Sequence, residues 1–274
     1  MWSACFGEEG GYSEFIFENL LSPENILVDF EGGRVRGMLC LEYMDIVDSG
    51  NKALPAAYVF GVATDPEHRG KGISSALMER VHAYLPSRGI CCSALVPAND
   101  SLFDFYGKRG YKTFSYIKKM CITAEEIDGL IDKESSLAPL QCGRIYDIRE
   151  RAFEKKPYIR WSRRYLEFVI RECRHLDGQA LHIADVGSEG YAVCYRDQRR
   201  VVIKELAVYP KKVSGFLKAL HAIIEADEYV IYLPRDYVSN VNFSAEVLPF
   251  SMIKWYDNSK IPAEGSVYLT HALD

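Results

Sequence analysis

Val62-Ala63-Thr64-Asp65-Pro66-Glu67-His68-Arg69-Gly70-Lys71-Gly72-Ile73-Ser74-Ser75-Ala76-Leu77 is the stretch on which the fold turns. An apolar run over 56–64 reads as a strand that ends here. Ile73, Ala76, Leu77, Val81 and Tyr84 then recur at helical spacing, which predicts a helix over 73–85 closed by Pro86 and Gly89. Between the two lies a glycine-rich turn. Gly70 and Gly72 let the backbone curl until successive N–H groups converge. The helix start at Ile73 and Ser74 adds unpaired N–H donors and a partial positive charge. Arg69 and Lys71 add full charges. A pyrophosphate is the natural guest of such a turn. Without a guest, the same residues form a plain strand-to-helix turn with solvated side chains.

Two better-known phosphate loops are excluded. A Walker loop needs GxxxxGK[ST], which is absent, and the dinucleotide fingerprint needs a third glycine at the opening of a βαβ unit. Outward from the turn, two alternating runs flank Glu31-Gly32-Gly33 and read as a hairpin. A helix over 13–21 precedes it. A strand over 90–96 follows the central helix, then a short helix at about 100–108 with Asn99 or Asp100 as N-cap, then a strand over 112–120. Residues 121–141 read as a polar connector. Beyond it come a helix over 158–176 with an arginine-rich face, strands over 180–186, 190–196 and 200–208, a helix over 213–226 and a strand over 229–233. This second block echoes the first in topology, not in sequence.

A second motif follows in order: Asn99, then Phe105-Tyr106, then Gly110-Tyr111. With Arg69-x-x-Gly72-x-Ser74 it resembles the paired motifs A and B of the GNAT N-acetyltransferase superfamily, with Ser74 where Gly or Ala is usual. The resemblance covers about residues 1–120. It implies an α/β fold with mixed central sheets flanked by helices. It also implies acetyl-CoA as the acyl donor, its pyrophosphate held by the backbone of residues 69–74. Backbone groups of Phe60, Val62 and Thr64 would bind the pantetheine arm like an added strand, and Asn99 would lie near the cofactor. Tyr106, by itself an ordinary helix aromatic, would be the general acid for the leaving thiolate.

The whole chain resembles the tandem GNAT type, in particular the Eis-like acetyltransferases without their sterol-carrier domain. Residues 1–120 would be the catalytic module, 121–141 a connector and 142–274 a degenerate second module. Its turn, Val208 to Gly215, lacks the cradle, so this module is expected to wall the substrate cleft and not to bind CoA. The resemblance would make Asp274 a base through a carboxylate at the chain's end. On the residues alone, Glu42 and Asp45 are the base candidates of the first module, and either is also an ordinary polar strand residue. His68 reads as solvated.

The totals narrow the partners. The 274 residues carry a net charge of −5. Residues 1–120 hold 12 Lys+Arg against 15 Asp+Glu, a balance of −3, and the remainder holds 21 against 23, a balance of −2. Neither half has the basic surplus of a general nucleic-acid binder. The expected acceptor is a small-molecule or peptide amine, with homo-oligomerisation open. No apolar run reaches the length of a membrane span and no signal peptide is apparent at the start, so cytoplasmic residence is expected. The eight cysteines show no CxxC or His/Cys cluster, so no metal is expected. A non-catalytic acyl-CoA-binding protein is the rival reading.

Overall fold

The computed structural model describes residues 1–7, 11–154, 156–185, 188–208, 212–241, 243–257, 267–271 and 273. Two short helices, α1 (Trp2–Phe6) and α2 (Tyr12–Asn19), precede the hairpin of β1 (Ile26–Glu31) and β2 (Arg34–Val47). Gly32 and Gly33 make its two-residue turn, with φ of 59° and 81°, the left-handed conformations that a tight hairpin demands. β3 (Ala53–Thr64) runs antiparallel to β2. Helix α3 (Ile73–Ser87) then crosses to β4 (Cys92–Leu95), which is parallel to β3. Helix α3 continues through Pro86, where the sequence reading closed it. So near the helix end, the missing N–H and the ring disturb only the last turn. After α4 (Asp100–Gly107) comes β5 (Lys112–Thr123).

The second half holds α5 (Ala124–Asp128), β6 (Ser136–Pro139), α6 (Cys142–Ala152), β7 (Tyr158–Trp161), α7 (Arg163–His175), β8 (Gln179–Asp185), β9 (Ser188–Asp197), β10 (Arg200–Ala207), α8 (Val213–Ile223), β11 (Glu228–Pro234) and β12 (Ala245–Trp255). The unit β10–α8–β11 repeats β3–α3–β4, with β10 and β11 parallel.

All the described strands join one sheet, ordered β1-β2-β3-β4-β12-β5-β11-β10-β9-β8-β6, with β7 paired to the far end of β2. The last strands of the two halves change places. β12 lies between β4 and β5, antiparallel to both, and β5 pairs with β11. The exchange pairs edges that would otherwise expose unsatisfied N–H and C=O groups. Trp255 of β12 packs edge-on against Phe114 of β5.

Strand alternation sorts the side chains onto two faces. Leu39, Leu41, Ala57 and Val59 face α3, together with Tyr106 and Tyr111. Met38, Cys40, Tyr58 and Phe60 face the other way, into a core shared with Trp161, Tyr165 and Phe168. Thus α7 of the second half packs across the sheet of the first.

The helix expected over 158–176 is two elements. Tyr158–Trp161 forms a strand against Val47–Met44, because its aromatic and β-branched residues suit a buried ladder. Ser162 starts α7, its Oγ accepting from the Tyr165 amide at 3.1 Å. The arginine face is also largely engaged. Arg160 pairs with Glu150 at 2.8 Å, Arg163 with Asp147 at 2.7 Å, and Arg164 and Arg174 donate to the carbonyls of Leu20 and Leu140. Residues 121–141 hold more order than a polar connector. Thr123 and Glu126 form a reciprocal cap on α5, and β6 closes the sheet beside β8. Helix α6 and strand β12 are additional to the elements that the sequence reading expects.

Candidate active site

The site begins where β3 leaves its partner. Pairing between β3 and β4 covers only Ala56–Tyr58 and Cys92–Ala94. From Val59 to Thr64 the edge of β3 that faces β4 therefore carries no strand. A bulge sits in the same segment: Cys40 pairs with Phe60 and Met38 with Ala63, so β3 has one extra residue. Gly61 supplies it with φ of 58°. A bulge re-aims the backbone that follows it. Here it sends Val62 to the α3 face, whereas Phe60 stays in the opposite core.

Beyond Thr64 the turn is built by its own side chains. The Asp65 carboxylate accepts from the Glu67 amide at 2.9 Å, which holds it below the usual carboxylate range, and His68 lies 3.5 Å away. His68 is thereby part of the turn. Gly70 and Gly72 have φ of 77° and 78°, and a Cβ on either would meet nothing within 4 Å. The glycines are needed for the curl, and the space above them is open. Gly72 is the N-cap of α3, which leaves the first-turn amides without side-chain caps. Thr64 Oγ1 and Ser74 Oγ share a hydrogen bond of 2.5 Å that ties strand end to helix start. This gives the serine at the usual Gly/Ala position a local partner.

A cleft of about 480 Å³ opens here. Val62 and Thr64 form one wall, and Arg69, Gly70, Gly72, Ile73 and Ser74 form the floor. Tyr106 closes it from α4. Tyr106 is 7% exposed, and its ring meets Phe105 and Tyr111 edge-on. Burial pushes its phenol up to about 12, with the nearby Arg109 cation opposing.

Three expected cofactor residues, Phe60, Lys71 and Asn99, are not among the cleft-lining residues, although the expectation for Phe60 and Lys71 concerns their backbone groups. Phe60 is buried and stacks on Tyr58 with ring centroids 5.7 Å apart. Lys71 is exposed. Asn99 is exposed at the N-cap of α4, and its Oδ1 accepts from Ser101 at 2.7 Å. Sequence reasoning missed Arg109, which lines the cleft. Its guanidinium lies 3.5 Å over Phe105 and donates to the Phe105 carbonyl at 2.5 Å and to Ser75. Its position three residues after Tyr106, in the turn that follows α4, was the available signal. Cys5 and Phe6 of α1 also border the cleft.

The base candidates scatter. Glu42 sits opposite Tyr58 in the β2–β3 register, is 7% exposed, and accepts from Ser162 Oγ at 3.2 Å. Burial pushes its carboxyl up, opposed by the Ser162 hydrogen bond and by Arg164. It therefore lies on the face of Tyr58, away from the cleft floor. Asp45 lies farther off, in a separate recess with Arg160 and Trp161. Asp274 lies outside the described residues. The tail before it is anchored: Tyr58 donates to the Leu273 carbonyl at 3.3 Å. Among the described residues no group of three or more His, Cys, Asp or Glu could hold a metal, and no helix is long and apolar enough to cross a membrane. The eight cysteines are free thiols.

Residues 1–114 match the acetyltransferase (GNAT) domain family. No curated protein sequence matches the chain. Among solved structures, the fold is shared with a probable N-acyltransferase from Enterococcus faecalis V583: TM-score 0.73, 17% identity, covering 93% of this chain and 68% of that one. A GCN5-related N-acetyltransferase from Anabaena variabilis gives a TM-score of 0.72 at 19% identity, over 92% and 68%. Eis1 from Mycobacterium abscessus gives 0.65 at 14% identity, over 91% and 71%. The chain thus spans about two thirds of the length of these proteins. Residues 1–114 thus match the GNAT domain, with its strand-to-helix cradle and parted strands, and over more than nine-tenths of its length the chain shares its fold with these proteins, Eis1 among them.

Proposed function

We propose that the chain is an acetyl-CoA-dependent N-acetyltransferase acting on a primary amine. Its catalytic module would be residues 1–120, joined through 121–141 to a second module at 142–274. The observation that carries this reading is the junction of three features in one cleft: the unpaired edge of β3, the open glycine cradle at the start of α3, and the buried phenol of Tyr106.

Each feature has a task. The α3 N-terminus and the amides around Gly70 and Gly72 accept the donor's pyrophosphate, with Arg69 beside them. The free β3 edge takes the amide-bearing arm as an added strand, which fixes the thioester relative to the protein. The Val62 amide, re-aimed by the bulge, polarises the thioester carbonyl. The amine attacks directly in a ternary complex, and its proton leaves to a carboxylate, Glu42 or Asp274. Tyr106 returns a proton to the departing thiolate. Free and buried thiols support a reducing, cytoplasmic setting.

Isothermal titration of acetyl-CoA into wild type and Gly72→Glu, followed by thiol release over a panel of amines, tests the reading. Binding lost in the variant and thiol release by wild type are the expected results. A wild type that does not bind acetyl-CoA would overturn the proposal. Glu42 is not among the cleft-lining residues; this favours one rival, a non-catalytic acyl-CoA-binding protein, which would bind and release no thiol with any amine.

A further inference from the structure

The second half has its own pair of parted strands. β10 and β11 pair in parallel from Arg200 to Ile203 and separate beyond. A bulge falls between Ile203 and Glu205, as one falls in β3 at Gly61. In the first half this geometry leaves an open cleft. In the second it is occupied by the chain itself. Tyr268 OH donates to the Tyr232 carbonyl of β11 at 3.4 Å, and Thr270 Oγ1 donates to Glu205 of β10 at 2.7 Å.

Glu205 is fully buried and carries the centre of this contact. Tyr191 OH donates to it at 2.6 Å, Arg149 Nε lies 3.3 Å away, and His271 pairs with the same carboxylate. Burial alone would push the Glu205 carboxyl up; Arg149 first, then His271, hold it below the usual range. The tail backbone is gripped as well. The Ile159 amide donates to the Tyr268 carbonyl at 3.0 Å, the Tyr268 amide to Pro157 at 3.1 Å, Trp161 Nε1 to the Thr270 carbonyl at 3.1 Å, and Tyr165 OH to the His271 carbonyl at 2.5 Å. Past these anchors the next described residue, Leu273, reaches Tyr58 of β3. Tyr58 lies three residues before Gly61, the bulge of the proposed catalytic cleft.

We infer that the crevice of the second module is a docking site for the chain's own C-terminal segment, Val267–His271. Glu205 is the positioning residue that seats this segment and so sets Leu273 against Tyr58. The second module thereby serves the first without a cofactor of its own. The turnover part of this inference rests on the proposed acetyltransferase reading; the docking part does not.

The test uses the full chain and the variants Glu205→Gln and Thr270→Val, the second removing one hydroxyl and leaving the Arg149–Glu205 pair. Amide hydrogen exchange at Ile159 and Tyr268 reads docking, titration reads acetyl-CoA affinity and stoichiometry, and thiol release reads kcat. Expected are at least 10-fold faster exchange at both amides, about 10-fold lower kcat, one acetyl-CoA per chain, and acetyl-CoA affinity within 2-fold of wild type. In a chain lacking residues 273–274, Thr270→Val should cost no further activity, because its effect runs through that end. Unchanged exchange in both variants, two acetyl-CoA per chain, or an undiminished cost of Thr270→Val in the shortened chain would overturn the inference. Failure of wild type to bind acetyl-CoA would instead sink the catalytic reading and leave the exchange result to decide docking.

Discussion

The Trp2 indole lies across Gly61. A Cβ built on Gly61 would come within 2.9 Å of Trp2 Cζ3, at a residue whose φ is 58°. Helix α1 and the β3 bulge are therefore fitted to each other, and the bulge decides where Val62 presents its amide. Gly61→Ala is expected to destabilise the chain by about 1–3 kcal/mol from backbone strain and overlap together. Adding Trp2→Leu should recover the overlap part and not the backbone part. Urea unfolding of the two variants separates the contributions.

Gly72→Glu places a carboxylate and a disfavoured φ in the proposed pyrophosphate cradle. Acetyl-CoA affinity should fall by about 100-fold, or ~2.7 kcal/mol. The loss should persist at high salt less than at low salt, since part of it is charge repulsion. Titration at two ionic strengths checks this.

Tyr106→Phe should lower kcat by about 100-fold while acetyl-CoA affinity holds. The phenol, pushed up to about 12, stays protonated throughout the neutral range. Its folded value exceeds its unfolded one, so its contribution to stability is complete below about pH 10 and is lost as pH rises toward 12. A kcat profile from pH 6 to 9 should show no limb from this group.

Glu42→Gln is expected to lower turnover and raise stability together. Burial raises the folded value of this carboxyl, so the charged form is disfavoured in the fold. Its favourable contribution is complete below the unfolded value and is lost as pH rises through the folded one. At neutral pH the neutral amide should therefore melt higher than wild type. A lower melting temperature at pH 7 would contradict this account of Glu42.

His82 is pushed down to about 4 by burial, then by the cations Lys254 and Arg109. It bonds Tyr111 OH at 3.3 Å and Lys254 Nζ at 3.1 Å, so β12 and the residue that leads into β5 meet on its neutral ring. A depressed folded value means stability present above about pH 6.5 and lost as pH falls toward 4. Allowing for solvent screening of this half-buried group, about 1–2 kcal/mol should go. Wild type and His82→Gln, unfolded in urea at pH 7 and pH 4.5, should differ in that slope.

The local chemistry was legible in the residues. Gly70 and Gly72 announced the cradle because only glycine accepts a φ near 78° without cost, and Gly32-Gly33 announced the hairpin for the same reason. Helical spacing placed α3, and the resemblance to the paired motifs singled out Tyr106. What needed the tertiary structure was everything decided by distant partners. Tyr158–Trp161 became a strand because β2 offers it an edge. β12 entered the first half because the gap between β4 and β5 had to be paired. That the side chains of Lys71 and Asn99 are exposed outside the cleft lining also needed the tertiary structure, because direction, not sequence spacing, sets what a side chain reaches. Glu205 gave no signal in sequence at all. One glutamate on a strand acquires meaning only when Arg149, Tyr191, Thr270 and His271 converge on it from distant segments of the chain. Short-range sterics are written in the sequence; a buried charge is specified by whatever the fold brings to neutralise it.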